Sequence, residues 1–360
     1  MKITVLGGGH GCYAAAVSLT EQGHEVTLWR RDKEALQSLR EKGSITVLDF
    51  NGERNVEPAH LTDDLAVAIK QSEVVVIPLP ATVHEALAED TAAHWEDGQV
   101  VYLPPGTFGS YLFLSAARRA GNPADVSFAE AGTLPYLARK RDTHLVAISC
   151  YATRLPTGVF PARNAKHAFS LLEQAYPAVE RLQDVLSGAL MNAGPIIHPP
   201  LIMMNAGPME HFDKWDIHIE GTQPSIRRTT DALDAERIAI REAFGYGAPH
   251  FPLADQYDDE REEWMYGNMA HEKMHASGDW REDIGLTSHR YMLEDVELGL
   301  AFLSSCGEYV NVDCPLSRGF MAIGSAINGR DFSQSGRTLK NLGLADLTMD
   351  EFKAILEEGI

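Results

Sequence analysis

Apolar residues in the first half of the chain occur in short continuous runs, separated by turns that contain glycine or proline. These runs occupy residues 3–6, 26–29, 73–80, 99–103 and 126–128. Runs of this length are typical of strands buried on both faces of a parallel sheet. Helix formers fill residues 13–22, and Gly23 then supplies a C-terminal cap. The pattern predicts a doubly wound α/β domain of the Rossmann type, which binds ligands at the carboxyl ends of its strands.

The pattern changes near Phe169, where strand signals nearly vanish. Residues 231–244 and 291–305 instead carry apolar side chains at helical intervals. We therefore predict two domains, a Rossmann-type domain over residues 1–185 and a mostly α-helical domain over residues 186–360.

A glycine-rich turn follows the first apolar run. Gly7 allows a tight turn, Gly9 lets the backbone approach a pyrophosphate, and the next helix points its N-terminus at the phosphates. Counted from Gly7, the third position of the G-x-G-x-x-G pattern holds Cys12, although Gly11 is adjacent. The alternative is a glycine-rich turn that binds nothing. The residues predicted to contact a dinucleotide are Gly7, Gly9, His10, Gly11 and, at the end of the third apolar run, Pro80.

The end of the second apolar run indicates which dinucleotide is used. Enzymes that use NAD usually carry an acid near this point, and it binds the ribose 2′-hydroxyl. Here Trp29 is followed by Arg30 and Arg31, and guanidinium groups suit a 2′-phosphate. We predict NADP, with NAD as the alternative if both arginines are solvated and Asp32 binds the hydroxyl.

Composition narrows the classes of partner. A formal net charge of -20 opposes binding to nucleic acid. No apolar run approaches the roughly 18 residues of a membrane span, and a strand that begins near residue 2 leaves no room for a signal peptide. The four cysteines lack C-x-x-C spacing. We therefore expect a cytoplasmic protein without a disulfide framework.

One short stretch, HEKMH at residues 271–275, matches the H-E-x-x-H signature of zinc peptidases. Glycines lie close to both sides of it, which makes a long helix doubtful. In the extended metzincin pattern the third ligand position holds Arg281, which cannot bind zinc. We predict no metal, and we place His271 and His275 in a loop or at a pocket rim.

Two stretches of the second half carry candidate chemistry. In IIHPPLIMMN, His198 precedes two prolines, which should break a helix and fix the histidine at its edge. In HRYMLEDVELG, Arg290 and Asp295 are five residues apart, which on an α-helix separates them by about 140°. Taken alone, His198 could be a structural histidine and Asp295 a surface carboxylate. Asn205 is a weak candidate because it lies near His198.

Several segments taken together resemble the opine dehydrogenases, the octopine/nopaline dehydrogenase family, and within them the N-(1-D-carboxyethyl)-L-norvaline dehydrogenase branch. The matching segments, in chain order, are GGGHG, AEAGTLPYLAR, NAGPIIHPPLIMMNAG, IEGTQPSI, LDAERIAIREAF, HRYMLEDVELG and DFSQSGRTLKNLGL. The resemblance implies a Rossmann domain, a helical C-terminal domain like that of 6-phosphogluconate dehydrogenase, and an active site between them. The norvaline branch has an acid at the position of Arg30, which agrees with the NADP prediction.

The same resemblance implies a reaction and roles for residues. An amino acid and a 2-oxo acid such as pyruvate condense, and NAD(P)H reduces the imine to a secondary amine. His198 and Asp295 fall at the positions of the catalytic pair, and Arg290 at that of the arginine that holds the oxo-acid carboxylate. Glu130 falls at the position associated with the amino substrate. Asn192 lies on the segment that faces the nicotinamide.

Two other functions remain as alternatives. One is a 2-hydroxy- or 2-oxo-acid oxidoreductase of the same superfamily that needs no amine. The other is the zinc peptidase suggested by HEKMH. The predicted partners are small-molecule substrates, with a homodimer as a further expectation.

Overall fold

The computed structural model describes residues 1–258, 260–268 and 270–360, which divide into two compact units. The first unit comprises Met1–Leu79, Val83–Ala189 and Ala354–Ile360, and the second comprises Pro80–Thr82 and Leu190–Lys353. The predicted boundary after residue 185 lies close to the change of unit after Ala189. Pro80–Thr82 were predicted in the first domain but belong to the second unit, and Ala354–Ile360 were predicted in the second domain but belong to the first unit. Tertiary contacts, and not local periodicity, decide to which unit these segments belong.

All strands of the described residues lie in the first unit. They are β1 (Lys2–Leu6), β2 (Glu25–Trp29), β3 (Ile45–Asp49), β4 (Gly52–Val56), β5 (His60–Thr62), β6 (Val74–Val76), β7 (Val100–Leu103), β8 (Ser127–Ala131), β9 (Tyr136–Lys140), β10 (Leu145–Tyr151), β11 (Leu155–Phe160) and β12 (Val179–Arg181).

The larger sheet has the order β12-β11-β8-β7-β6-β1-β2-β5. Its strands β5-β2-β1-β6-β7-β8 are all parallel and follow the Rossmann order 3-2-1-4-5-6. Strand β11 pairs antiparallel with β8 and carries β12 at the edge. The predicted doubly wound sheet is therefore confirmed. Strand order reverses between β1 and β6, the point where such sheets bind ligands.

A second sheet, with the order β4-β3-β10-β9, was not predicted from the sequence. Its edge strands β4 and β9 carry charged residues, and β4 is largely exposed, so these two strands lack the continuous apolar runs that reveal the central strands.

The helices of the first unit are α1 (His10–Glu21), α2 (Lys33–Lys42), α3 (Leu65–Ile69), α4 (His84–Thr91), α5 (Gly109–Arg119), α6 (Ala165–Ala175) and α7 (Val185–Ala189). Helix α1 contacts β1 and β2 of the larger sheet and also β3, β9 and β10 of the second sheet. Residues 11–19 of α1 are buried for this reason. The small side chains Ala14, Ala15 and Ala16 allow both sheets to approach the helix.

The second unit is helical, as predicted, and none of its described residues forms a strand. Its helices are α8 (Gly194–Met204), α9 (Ala206–His211), α10 (Pro224–Ala243), α11 (Ala270–Ser277), a π-helix (Tyr291–Leu300), α12 (Ala301–Tyr309), α13 (Pro315–Asn328), α14 (Phe332–Ser335) and α15 (Met349–Glu358), which continues into the first unit. Helices α10, α13 and the π-helix all pack against α8.

Within the described ranges, every helix is too short or too polar to cross a lipid bilayer. The four cysteines are buried thiols. Cytoplasmic localisation and the homodimer stay predictions.

Candidate active site

The glycine turn after β1 has the geometry of a phosphate-binding loop. Gly7 has a φ of +118°, and its amide donates to the Trp29 carbonyl at 2.9 Å. A Cβ on Gly7 would lie 2.6 Å from a Leu79 methyl and 2.8 Å from the Cys12 sulfur. Only glycine fits this position, because a side chain would be both strained and overlapped.

The turn also leaves room where a ligand would approach. A Cβ on Gly9 would meet no described heavy atom within 4 Å. Gly9 precedes the first turn of α1, which carries neither a side-chain cap nor an acidic residue in the described structure. Backbone N–H groups at such a helix start favour an anion. These residues therefore fit the pyrophosphate of a dinucleotide.

Cys12, at the third position of the glycine pattern, is accommodated by packing. Its side chain is fully buried, and its thiol lies 3.5 Å from the Leu6 carbonyl and 3.8 Å from that of Pro78. Burial raises the pKa of this thiol to about 12, so the group stays protonated. Neighbouring Gly11 provides the close approach, since a Cβ there would lie 2.9 Å from Leu134.

The two arginines after β2 occupy different environments. Arg30 is buried, donates to the hydroxyl of Tyr13 and lies 3.7 Å from the Asp32 carboxylate. Arg31 is exposed. Asp32 caps α2 by accepting from the Ala35 amide at 3.0 Å. The acid that could have bound a ribose hydroxyl is thus already engaged in helix capping.

In the second unit, His198 and Asp295 form a direct hydrogen bond. His198 Nδ1 and Asp295 Oδ2 are 2.7 Å apart, and the two side chains are 13% and 5% exposed. When Asp295 is ionised its carboxylate only accepts, so Nδ1 is then the donor of this bond. The ring of Tyr291 stacks on the imidazole, with centroids 3.7 Å apart and an interplanar angle of 16°. The hydrogen bond to Asp295 and the stacked ring of Tyr291 together determine the orientation of His198.

His198 lies inside α8 and not at its edge, so the predicted helix break was wrong. Pro199 and Pro200 both lie within Gly194–Met204. An interior proline removes a backbone hydrogen bond and costs about 3 kcal/mol. The helix persists because most of its apolar residues, both prolines included, are buried, and it packs against α10, α13 and the π-helix.

The segment that holds Arg290 and Asp295 is a π-helix, whereas the sequence predicted α-helical spacing. In a π-helix each N–H bonds to the carbonyl five residues earlier. Residues five apart therefore lie about one turn apart, closer to a common face than the α-helical separation of about 140° allows. This change of helix type brings Arg290, the residue before the helix, towards the side that carries Asp295.

Two glycines allow α8 and the π-helix to approach closely. A Cβ on Gly194 would lie 2.3 Å from Asp295 Oδ1, and a Cβ on Gly299 would lie 2.3 Å from Pro195 Cγ. Asn192 Oδ1 accepts from the Gly194 amide at 3.0 Å. The predicted residue Asn192 is thus buried at the start of α8, where it orients the helix that carries His198.

Arg290 is only loosely paired. Its guanidinium lies 3.8 Å from Glu294, and its side chain is 44% exposed. Its charge also lies 5.0 Å from the centroid of the Tyr291 ring. Arg290 can therefore bind an incoming anion without first breaking a close ion pair.

Glu294 is a site residue that the sequence reasoning missed. It is buried, and its Oε1 accepts from the Ala81 amide at 2.8 Å. Arg337 donates to the Ala81 carbonyl at 3.0 Å, so both backbone polar groups of Ala81 are bound. Burial, and secondarily the charge of Asp295, raises the pKa of Glu294 to about 7. Its position directly beside Asp295 in the LEDVE segment was the available signal.

Burial also raises the pKa of Asp295, and the charge of Arg290 partly opposes this shift. Two neighbouring buried carboxylates thus face one guanidinium of the same segment. The predicted cofactor residue Pro80 adjoins Ala81, and its role stays a prediction.

Comparisons with known proteins find similar dehydrogenases. Residues 181–328 match the family described as NAD/NADP octopine/nopaline dehydrogenase, alpha-helical domain, and residues 2–104 match the NAD-dependent glycerol-3-phosphate dehydrogenase N-terminus. The opine dehydrogenase of Arthrobacter sp. (strain 1C) is 28% identical over 98% of both chains.

Solved structures share the fold at low sequence identity. Octopine dehydrogenase with NADH and pyruvate superposes with a TM-score of 0.71 at 16% identity, covering 99% of this chain and 98% of that one. Yersinopine dehydrogenase with NADP+ gives a TM-score of 0.65 at 14% identity, covering 100% and 98%.

The helical part of the chain is thus similar to the octopine/nopaline dehydrogenase family, and the whole chain is similar to an opine dehydrogenase. The chain is an NAD(P)-dependent oxidoreductase of the opine dehydrogenase type.

The family resemblance associated Glu130 with the amino substrate, but the structure gives this residue a different setting. Glu130 is fully buried in the first unit, and its carboxylate accepts from the amides of Phe108 and Ser110, both at 2.8 Å. A Cβ on Gly106 would lie 2.3 Å from its carboxyl carbon. These two bonds make Glu130 a brace for the turn after β7, and its contact with the amino substrate stays a prediction.

Asn205 is also engaged by protein groups. Its amide nitrogen donates to the carbonyls of Leu201 at 2.8 Å and Gly221 at 3.1 Å, and its oxygen accepts from the Trp215 indole at 3.0 Å. These bonds tie the end of α8 to the segment before α10. A substrate contact by Asn205 stays a prediction.

HEKMH forms a regular helix in this opine dehydrogenase relative, which corrects the expected loop. Residues 271–275 lie within α11, and His271 Nε2 is 3.1 Å from the His218 carbonyl. No group of three metal-ligating side chains occurs among the described residues. Residues 2–104 and 181–328 instead match families of NAD- or NAD(P)-dependent dehydrogenases.

Replacing Gly194 with alanine tests the close approach of the two helices. The new methyl group must displace the Asp295 carboxylate from His198. We expect turnover to fall by about tenfold to a hundredfold, with a loss of stability of about 1–3 kcal/mol. Steady-state kinetics and urea unfolding measure the two effects. Gly319→Ala in α13, where a methyl group meets no described atom, should leave turnover intact. Unchanged turnover in Gly194→Ala would contradict the proposed constraint.

Glu294→Gln tests the buried carboxylate through the pH dependence of stability. A pKa raised from 4.5 to about 7 means that the folded state binds more protons than the unfolded state between these values. Glu294 therefore makes stability fall as pH rises from about 4.5 to 7, by up to about 3 kcal/mol. Glutamine keeps an acceptor for Ala81 and should remove this part of the decline, as measured by urea unfolding from pH 5 to 8.

The control for that series is Glu272→Gln, which changes an exposed glutamate of α11. Its stability profile should parallel that of the wild type. A Glu294→Gln profile that also runs parallel would refute the raised pKa.

Proposed function

We propose that this chain joins the amino group of an amino acid to the carbonyl carbon of a 2-oxo acid, with NAD(P)H as reductant, and catalyses the reverse oxidation. The observation that carries the proposal is the buried His198–Asp295 hydrogen bond, with the half-exposed Arg290 on the adjoining segment. The relatives support it, because one is an opine dehydrogenase and another was solved with NADH and pyruvate.

The condensation needs proton transfers at neutral pH. The amine adds to the carbonyl carbon, water leaves, and the resulting carbon–nitrogen double bond is reduced to a secondary amine. Imidazole has a suitable pKa for giving a proton to the departing hydroxyl and to the nitrogen. We assign this work to His198 Nε2, since Nδ1 donates to Asp295. Asp295 selects the tautomer and stabilises the imidazolium.

The oxo acid carries a carboxylate that must be held in place. A guanidinium can bind it through two parallel hydrogen bonds. Arg290 suits this role because its nearest acid, Glu294, lies 3.8 Å away, a weak contact that leaves its charge available. We assign Glu294 a positioning role, since it lies between Arg290 and the Ala81 amide.

The first unit supplies groups that suit a dinucleotide. Gly9 and the N-terminus of α1 would hold its pyrophosphate, and the bound nicotinamide would supply the hydride. We propose NADP as the preferred form because Arg30 and Arg31 follow β2, while Asp32 is engaged in capping α2. Among the relatives, one structure contains NADH and another NADP+.

A matrix of substrates tests the reaction. We expect oxidation of NADPH with pyruvate only when an amino acid is also present, and mass spectrometry should show a product that joins both carbon skeletons. The same matrix with NADH should give a lower kcat/KM. Turnover with the oxo acid alone would instead establish an oxidoreductase that needs no amine. Equal or better use of NADH would refute the cofactor preference while leaving the reaction assignment intact.

Arg290→Lys tests the carboxylate clamp, because lysine keeps the charge and loses the paired donors. The KM of the 2-oxo acid should rise by about tenfold to a hundredfold, as for loss of a charged hydrogen bond. The KM values of the amino acid and of NADPH should change little. Arg318→Lys, at an exposed ion pair on α13, is the matched control. If only the KM of the amino acid rises, Arg290 holds the other substrate.

A further inference from the structure

Lys140 lies at the end of β9, in the second sheet that the sequence pattern did not reveal. Its backbone amide donates to His10 Nδ1 at 2.7 Å. His10 is the first residue of α1, directly after the glycine turn. The end of β9 is therefore attached to the loop that we propose binds the cofactor.

The side chain of Lys140 reaches the same loop. Its Nζ donates to the Gly8 carbonyl at 3.0 Å and lies 5.1 Å from the centroid of the Tyr13 ring. Arg30 approaches the same ring, with its guanidinium carbon 5.4 Å from the centroid, and donates to the Tyr13 hydroxyl. A Cβ on Gly8 would lie 2.6 Å from Arg30 Nε. Two cations from different strands thus meet at one glycine.

These two positive charges repel each other at a partly buried position. Burial, and secondarily the charge of Arg30, lowers the pKa of Lys140, while the charges of Asp32 and Asp142 oppose the shift. No described carboxylate forms an ion pair with Lys140. An anion with several acceptor oxygens would relieve the repulsion and use both donors at once.

We infer that Lys140, together with Arg30, binds the 2′-phosphate of NADP. This inference rests on the cofactor preference proposed above. Gly8 lies beside the end of β2, where Rossmann domains bind the ribose of the adenosine. The pyrophosphate belongs instead at the N-terminus of the helix, beyond Gly9. The location at Gly8 therefore assigns Lys140 to the phosphate on the ribose.

Binding measurements by calorimetry test the assignment without relying on turnover. In Lys140→Ala, the Kd values of NADPH and of 2′,5′-ADP should rise by about tenfold to a hundredfold, as expected for a lost charged hydrogen bond. The Kd values of NADH and 5′-ADP should stay within about threefold of the wild type. Lys140→Arg keeps the charge and should retain most of the preference. Lys166→Ala, at an exposed lysine of α6, is the control.

Unchanged NADH binding shows that Lys140→Ala is folded. If Lys140→Ala does not fold, Lys140→Met takes its place in the same measurements. An equal loss for NADPH and NADH would place Lys140 at the pyrophosphate and overturn the inference, as would no loss for either. Wild-type protein that binds NADH as tightly as NADPH would refute the proposed cofactor preference itself. A wild-type preference for NADPH that survives in Lys140→Ala would refute only the role of Lys140.

Discussion

The second unit is organised around a carboxylate that is buried beside an imidazole. An isolated buried charge is expensive, and a direct hydrogen bond from His198 provides Asp295 with compensation. The surrounding structure maintains that contact. Gly194 leaves room for the carboxylate, Pro195 packs against Gly299, and Tyr291 covers one face of the imidazole. Each of these features places α8 and the π-helix at the separation that the hydrogen bond requires.

Charges around this pair are arranged so that each buried acid has a nearby partner. Glu294 contacts the Ala81 amide and lies near Arg290, while Arg337 binds the Ala81 carbonyl. Arg290 remains half exposed, so an anionic substrate would enter a region that already contains a weakly paired guanidinium. The chemistry that we propose needs such a set: one group that exchanges protons, one that binds a carboxylate, and acids that orient both.

In the first unit, the second sheet adds contacts from Lys140 to the glycine-rich turn after β1. Helix α1 contacts both sheets, and its alanines make this packing feasible. The sheet carries Lys140 to the glycine turn, where it meets Arg30 from β2. Cofactor selection can therefore depend on a residue that is far from the glycine motif in sequence.

The amino-acid sequence alone determined the elements whose signals are local. Continuous apolar runs revealed the central strands, and glycine spacing revealed the dinucleotide turn. The order of the motifs, through their resemblance to a family, indicated His198, Arg290 and Asp295. Edge strands such as β9 lacked any comparable signal, because they carry charged residues.

Tertiary structure decided the features that depend on distant partners. Packing against neighbouring helices keeps α8 intact through two prolines and accompanies the π-helical form of Tyr291–Leu300. Tertiary structure also gives Glu130 and Asn205 hydrogen-bond partners within the protein, such as the Phe108 amide for Glu130 and the Trp215 indole for Asn205. No local pattern encodes such contacts, since their energies arise only when residues far apart in sequence are buried together.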